Sequence, residues 1–105
     1  MAIVRKSFDL YKVQHTASKR DLALASISCF NGTEWVGLLE FHKNEAGVRE
    51  PFVWNDRIVL SYTLKRFDEV IDLLRNEKPL ELYLNTDGKW GSILTKEMEP
   101  VGEEE

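Results

Sequence analysis

The chain reads as an α+β domain: a curved antiparallel sheet of four strands, then one helix packed across it, with a C-terminal β-hairpin extending the sheet. Three observations carry this. Ile58, Leu60 and Tyr62 recur at period two, as in a strand with one buried face, and after Thr63 the period changes so that Phe67, Val70, Ile71 and Leu74 fall at i, i+3, i+4 and i+7, one stripe of an α-helix. Residues 80–85 alternate cleanly and are returned by a turn containing Asp87-Gly88 into residues 90–96, a hairpin. Asn31-Gly32, between two apolar runs, marks a second tight turn.

Taken in order, residues 4–14 place Phe8 and Leu10 in alternation with polar neighbours and read as one long strand, followed by a polar connection over residues 15–20 that projects Lys19 and Arg20. Residues 21–30 read as the second strand, with a helix as the alternative because the start is rich in alanine. Residues 33–43 form the third and are apolar on both faces, with Trp35, Gly37, Leu39 and Phe41 on one side and Val36 and Leu38 on the other. A strand in a two-layer domain needs only one buried face. The second face is therefore a binding surface, a dimer contact, or scattered exposed apolar residues of the ordinary kind. Residues 44–51 form a loop, and 52–54 a short extension before the strand at 57–62. Ser61 or Thr63 is the expected N-cap of the helix, and Asn76 and Pro79 mark its end. If Asp87-Gly88 is a two-residue loop, Leu82 opposes Ile93 and Leu84 opposes Gly91. Leu64 and Leu73 widen the helix stripe beyond what one sheet covers, so Phe67, Val70, Ile71 and Leu74 are the candidate interface of a homodimer, the alternative being a helix sunk in its own core.

With 105 residues and 43% apolar content, the chain supports one domain over residues 1–96 with an acidic tail at 97–105. No apolar run approaches the 18 or so residues of a membrane span, and the N-terminus has no signal-peptide pattern. The expected setting is cytoplasmic, or nuclear or nucleoid-associated, and not secreted, with no membrane partner. The net charge of −4 is unevenly spread: five glutamates lie in residues 97–105, leaving 14 basic against 13 acidic side chains elsewhere. Within residues 1–20, Arg5, Lys6, Lys12, Lys19 and Arg20 face only Asp9, a basic segment that suits a polyanion or a solvated edge.

Two histidines and a single cysteine supply no zinc or haem spacing, and no calcium or phosphate loop occurs, so neither metal nor cofactor is expected. Cys29 beside Phe30 reads as a buried, inert thiol. No catalytic constellation emerges, and a non-enzyme is expected.

The run Phe30-Asn31-Gly32-Thr33-Glu34-Trp35-Val36-Gly37-Leu38-Leu39-Glu40-Phe41, then Gly47, Trp54, Ile58-Val59-Leu60 and the helix from Phe67 to Leu74, resembles the single-stranded-DNA-binding module of the positive-cofactor-four type of transcriptional coactivator, itself similar to the core of the Whirly proteins. The resemblance spans about residues 29–75. It implies four antiparallel strands before one helix, helix-paired dimers, and an outer sheet face that holds single-stranded DNA or RNA in transcription or DNA maintenance. The residues that would serve are Trp35, Phe41 and Trp54 as stacking platforms and Lys12, Lys19, Arg20, Lys43 and Arg49 as phosphate partners. The alternative for these aromatics is core, and the rival function is a protein-interaction module whose aromatic sheet face grips a peptide or partner protein.

Overall fold

The computed structural model describes residues 3–15, 24–77 and 79–95. Eight strands and one helix follow one another as β1 (Ile3–Phe8), β2 (Leu10–His15), β3 (Ala25–Asn31), β4 (Glu34–His42), β5 (Phe52–Trp54), β6 (Arg57–Thr63), α1 (Phe67–Asn76), β7 (Leu80–Asn85) and β8 (Trp90–Thr95), with 3-10 turns at Glu45–Gly47 and Leu64–Arg66. They form two sheets, of order β2-β3-β4-β6-β5 and β1-β7-β8. The α+β class and mostly antiparallel pairing agree with the sequence, but six strands precede the helix instead of four, and β4 and β6 run parallel. The C-terminal hairpin does not extend the larger sheet. It pairs with β1 to make the second one. No helix among the described residues is long and apolar enough to cross a membrane.

The long first strand predicted over residues 4–14 divides at Asp9, and its halves belong to different sheets. Asp9 sits at the corner, donating its N–H to the Phe30 carbonyl (2.9 Å) while its Oδ1 accepts from the Gly32 N–H (3.1 Å). The residue that breaks the strand thereby also pins the β3–β4 turn, where Gly32 takes φ 63°. That turn is Gly32-Thr33 with Asn31 opposite Glu34, so only the glycine enters the left-handed region, and the predicted Asn31-Gly32 loop is shifted by one residue.

The two sheets stack through a reciprocal fit. A Cβ on Gly37 of β4 would lie 2.1 Å from Leu82 Cδ1 of β7, and one on Gly91 of β8 would lie 2.5 Å from Leu60 Cδ2 of β6. Each sheet presents a missing side chain where the other presents a leucine. Ala25, Ile27, Cys29, Leu39, Phe41, Ile58 and Leu60 from the larger sheet and Phe8, Leu80, Leu82 and Leu84 from the smaller fill the space between them. Burial pushes the Cys29 thiol up to about 12, so the expected inert thiol is what the fold contains.

The helix closes one side of this core. Val70 and Leu74 are buried, and the ring of Phe67 meets Phe41 edge-on at 5.0 Å and His15 at 5.0 Å. A groove floored by Val70, Leu73 and Ile93 separates the helix from β8. The broad apolar stripe is thus shared between both sheets of a single chain. Of the four residues proposed as a dimer interface, Val70 and Leu74 have no surface left to offer, and Phe67 and Ile71 are half-buried. Neither predicted cap acts: Thr63 makes no side-chain capping bond and Ser61 is turned to Glu40, while the C-terminal end comes at Asn76 as expected. In the β7–β8 hairpin the predicted pairs Leu82–Ile93 and Leu84–Gly91 form, although the loop is residues 86–89, with Lys89 at φ 61°.

Two outcomes follow from the packing. Gly37→Ala should lower stability by about 1–3 kcal/mol through overpacking, and the loss should shrink in the Gly37→Ala/Leu82→Ala double variant, a coupling that a double-mutant cycle of urea melts measures. Leu74→Ala should cost about 2–5 kcal/mol; an unfolding midpoint independent of protein concentration would make that a loss within one chain's core, and a concentration-dependent midpoint a loss at a subunit interface.

Candidate nucleic-acid interface

The face of the larger sheet turned away from the core carries half of the predicted site, Lys12, Trp35, Arg49 and Trp54. Alternation places Lys12, Ser28, Leu38, Val59 and Phe52 in one row across β2, β3, β4, β6 and β5, as their register partners show. At the next level Leu10 opposes Phe30, Phe30 opposes Trp35, and Arg57 opposes Trp54. Trp35 reaches this face through a bulge. Cys29 pairs with Gly37 but Phe30 pairs with Trp35, so Val36 is an extra residue, and the strand turns over at that point. Without the bulge, Trp35 would follow Gly37, Leu39 and Phe41 inward.

The two tryptophans then bracket an arginine. Trp35 and Trp54 meet edge to face at 5.6 Å, and the Arg57 guanidinium lies 4.0 Å from the Trp35 ring centroid and 5.2 Å from that of Trp54. Phe30 stacks beyond Trp35 at 6.5 Å, and the Trp35 indole N–H donates to the Gly37 carbonyl (2.9 Å), which fixes the ring. Arg57 Nε is buried with no hydrogen-bond partner among the described residues, so the cation is held chiefly by the ring faces. Trp54 remains 43% exposed, which leaves a stacking surface open.

Beside this bracket lies a buried carboxylate. Glu40 accepts from Arg49 through both oxygens, with Nε to Oε1 at 3.2 Å and Nη2 to Oε2; Ser61 Oγ donates to Oε1 at 2.9 Å, and His42 Nε2 lies 3.3 Å from Oε1. Burial alone would raise the Glu40 pKa, but the hydrogen bonds from Arg49, Ser61 and His42, with the charge of Arg49, hold it below the usual value. The Ser61 hydroxyl addresses the carboxylate and not the imidazole. Its structural effect is to fasten residues 44–51 across the sheet: Arg49 is tied to Glu40 and stacks on Phe52 at 4.7 Å, while Gly47 packs against the His42 ring.

The predicted residues therefore separate. Trp35 and Trp54 come together, with Arg57, which the sequence reading passed over; its signal was its place opposite Trp54 across the Asn55-Asp56 turn. Arg49 joins the face, but it is committed to Glu40. Lys12 is exposed in the row of Leu38 and Phe52. Lys43 follows the far end of β4, roughly 25 Å along the strand from Trp35. Phe41 is fully buried, stacked on Tyr62 at 5.5 Å, because its parity sets it toward the smaller sheet; it belongs to the core and is not a platform. Lys19, Arg20 and the acidic stretch 97–105 lie outside the described residues. Among the described residues no group of three His, Cys, Asp or Glu side chains is placed to hold a metal ion. Comparison of the chain with protein-family models, curated proteins and solved structures finds no match.

The lowered Glu40 pKa has a definite sign. A carboxyl whose pKa is depressed by folding contributes stability above its unfolded value, near 4.3, and that contribution is lost as pH falls through the folded value. Glu40→Gln should cost about 1–3 kcal/mol at pH 7 and flatten the loss of stability between pH 5 and pH 3, as read by urea midpoints; an unchanged acid limb would exclude Glu40 as its source.

Proposed function

We propose that the outer face of the five-stranded sheet binds single-stranded nucleic acid. The observation that carries the reading is the Trp35–Arg57–Trp54 bracket on that face, in which the exposed Trp54 ring offers a stacking surface and the Arg57 guanidinium lies against both rings. Every base has a π-face, so stacking of this kind tolerates any sequence and contributes roughly 1–3 kcal/mol per base. Lys12, about four strand spacings or 19 Å from the β5 edge, supplies a second cation along a path that crosses the strands.

One observation favours the rival reading, a face that grips a peptide. Arg49 is neutralised by Glu40, so Lys12 and Arg57 are left as the phosphate partners on this face among the described residues, where a polyanion binder ordinarily uses more. Salt separates the two. With two phosphate contacts, the affinity for a labelled single strand should fall with a log–log salt slope of about −1.4, and Lys12→Ala should reduce the slope by about 0.7. Trp54→Ala should weaken single-strand binding by about 1–3 kcal/mol at every salt concentration, with duplex bound more weakly throughout. Absence of single-strand binding at low salt would leave the peptide reading in possession of the site.

A further inference from the structure

We propose that the groove beside Trp54 takes one nucleobase of the bound strand and that Arg49 reads its edge, so that the site prefers guanine to adenine. This rests on the nucleic-acid reading and deepens it by naming the base. The groove has a volume of about 260 Å³ and is lined by Leu38, Glu40, Arg49, Phe52, Trp54 and Val59. Its floor is apolar: Leu38 and Val59 are register partners on β4 and β6, and Phe52 opposes Val59 from β5. Phe52 and Trp54 stand two residues apart on the same face of β5, so their Cα atoms are roughly 6.6 Å apart along the strand. Arg49 stacks on Phe52, and Trp54 forms the open wall. An apolar floor between aromatic walls suits a flat ring and gives a hydrated phosphate nothing in return for losing its water.

The selectivity comes from how Arg49 is held. It turns its Nε–Nη2 edge to Glu40, which leaves Nη1 and the second hydrogen of Nη2, the end-on fork, without a partner among the described residues. Both Glu40 oxygens are already engaged, Oε1 by Arg49, Ser61 and His42 and Oε2 by Arg49. The charged end of the groove thus presents the two donors of the Arg49 fork, with Oε1 filled by three contacts and Oε2 already engaged by Arg49. Guanine sets two acceptors, O6 and N7, side by side at the spacing of such a fork, whereas adenine sets the N6 donor beside N7 and opposes a donor to a donor. The Glu40 clamp therefore orients the arginine for a base edge while cancelling its long-range pull on phosphate.

The experiment uses the full chain and short labelled oligothymidines of about eight residues carrying one central guanine, adenine or 7-deazaguanine. The guanine strand should bind on the order of tenfold more tightly than the adenine strand, and removal of N7 should abolish most of that advantage. Arg49→Lys, which keeps a charge for Glu40 but has no planar fork, should erase the difference between the guanine and adenine strands. Equal binding of the guanine and adenine strands by the unaltered protein, with oligothymidine still bound, overturns this proposal alone; the comparison needs no variant and so does not depend on Arg49→Lys folding. Failure of all the strands to bind at low salt overturns the nucleic-acid reading and this proposal with it.

Discussion

The distance between the two sheets is set by two glycines. At Gly37 and Gly91 any larger residue would place a Cβ well inside contact distance of a leucine on the opposite sheet, and Gly91 also lies against the Tyr83 carbonyl. Interiors are packed to crystal-like density, so either leucine could yield only by turning its side chain within a filled core, and backbone carbonyls of Ile58 and Tyr83 close the same two positions. Because the glycines sit on different sheets and face different leucines, they fix the lateral position of the sheets as well as their spacing. β8 lies over β6 where Gly91 meets Leu60, and the helix closes the side of the core by seating Phe67 on Phe41. The outward face of the larger sheet is the remainder of this arrangement, and the candidate site occupies it.

Much of the local structure was legible in the chain itself. Period-two runs marked β6 and β7, the apolar run after Asn31-Gly32 marked β4, the change of period marked the helix, and the turn at Asp87-Gly88 marked β8 and its register. Long-range choices were not legible, for physical reasons that particular residues illustrate. Asp9 is one polar residue in an alternating run, and its role in breaking the strand depends on Phe30 and Gly32, which lie more than twenty positions away. The parallel pairing of β4 with β6 depends on β5 taking the outside edge, and a three-residue strand carries almost no periodic signal.

The double apolar character of β4 illustrates how the site could be glimpsed and still misassigned. One face is buried by the smaller sheet and the helix, as a core strand requires. The other is covered in part by the chain's own residues 44–51, held through Arg49 to Glu40, a contact between polar residues that hydrophobic patterning does not register. The bulge at Val36 then exchanges what alternation assigns to each face: Trp35 leaves the side of Phe41, so one of the two aromatics expected together as platforms is in the core and the other outside. Burial and accessibility in this strand follow from a single inserted residue.

The corner at Asp9 also has a consequence for the order in which the protein can be assembled. β1 leaves the ribosome before the other described elements, but its hydrogen-bonding partner is β7, and Arg5 meets Glu81 across 76 positions of sequence. Until β7 has emerged, β1 has no strand to pair with, while β2 beside it can already join β3 and β4 in a local meander. Closing so distant a pair carries the entropic cost of the whole intervening loop. The larger sheet can therefore form during synthesis with its inner face uncovered, and the smaller sheet is the lid that completes the domain after the final hairpin is released.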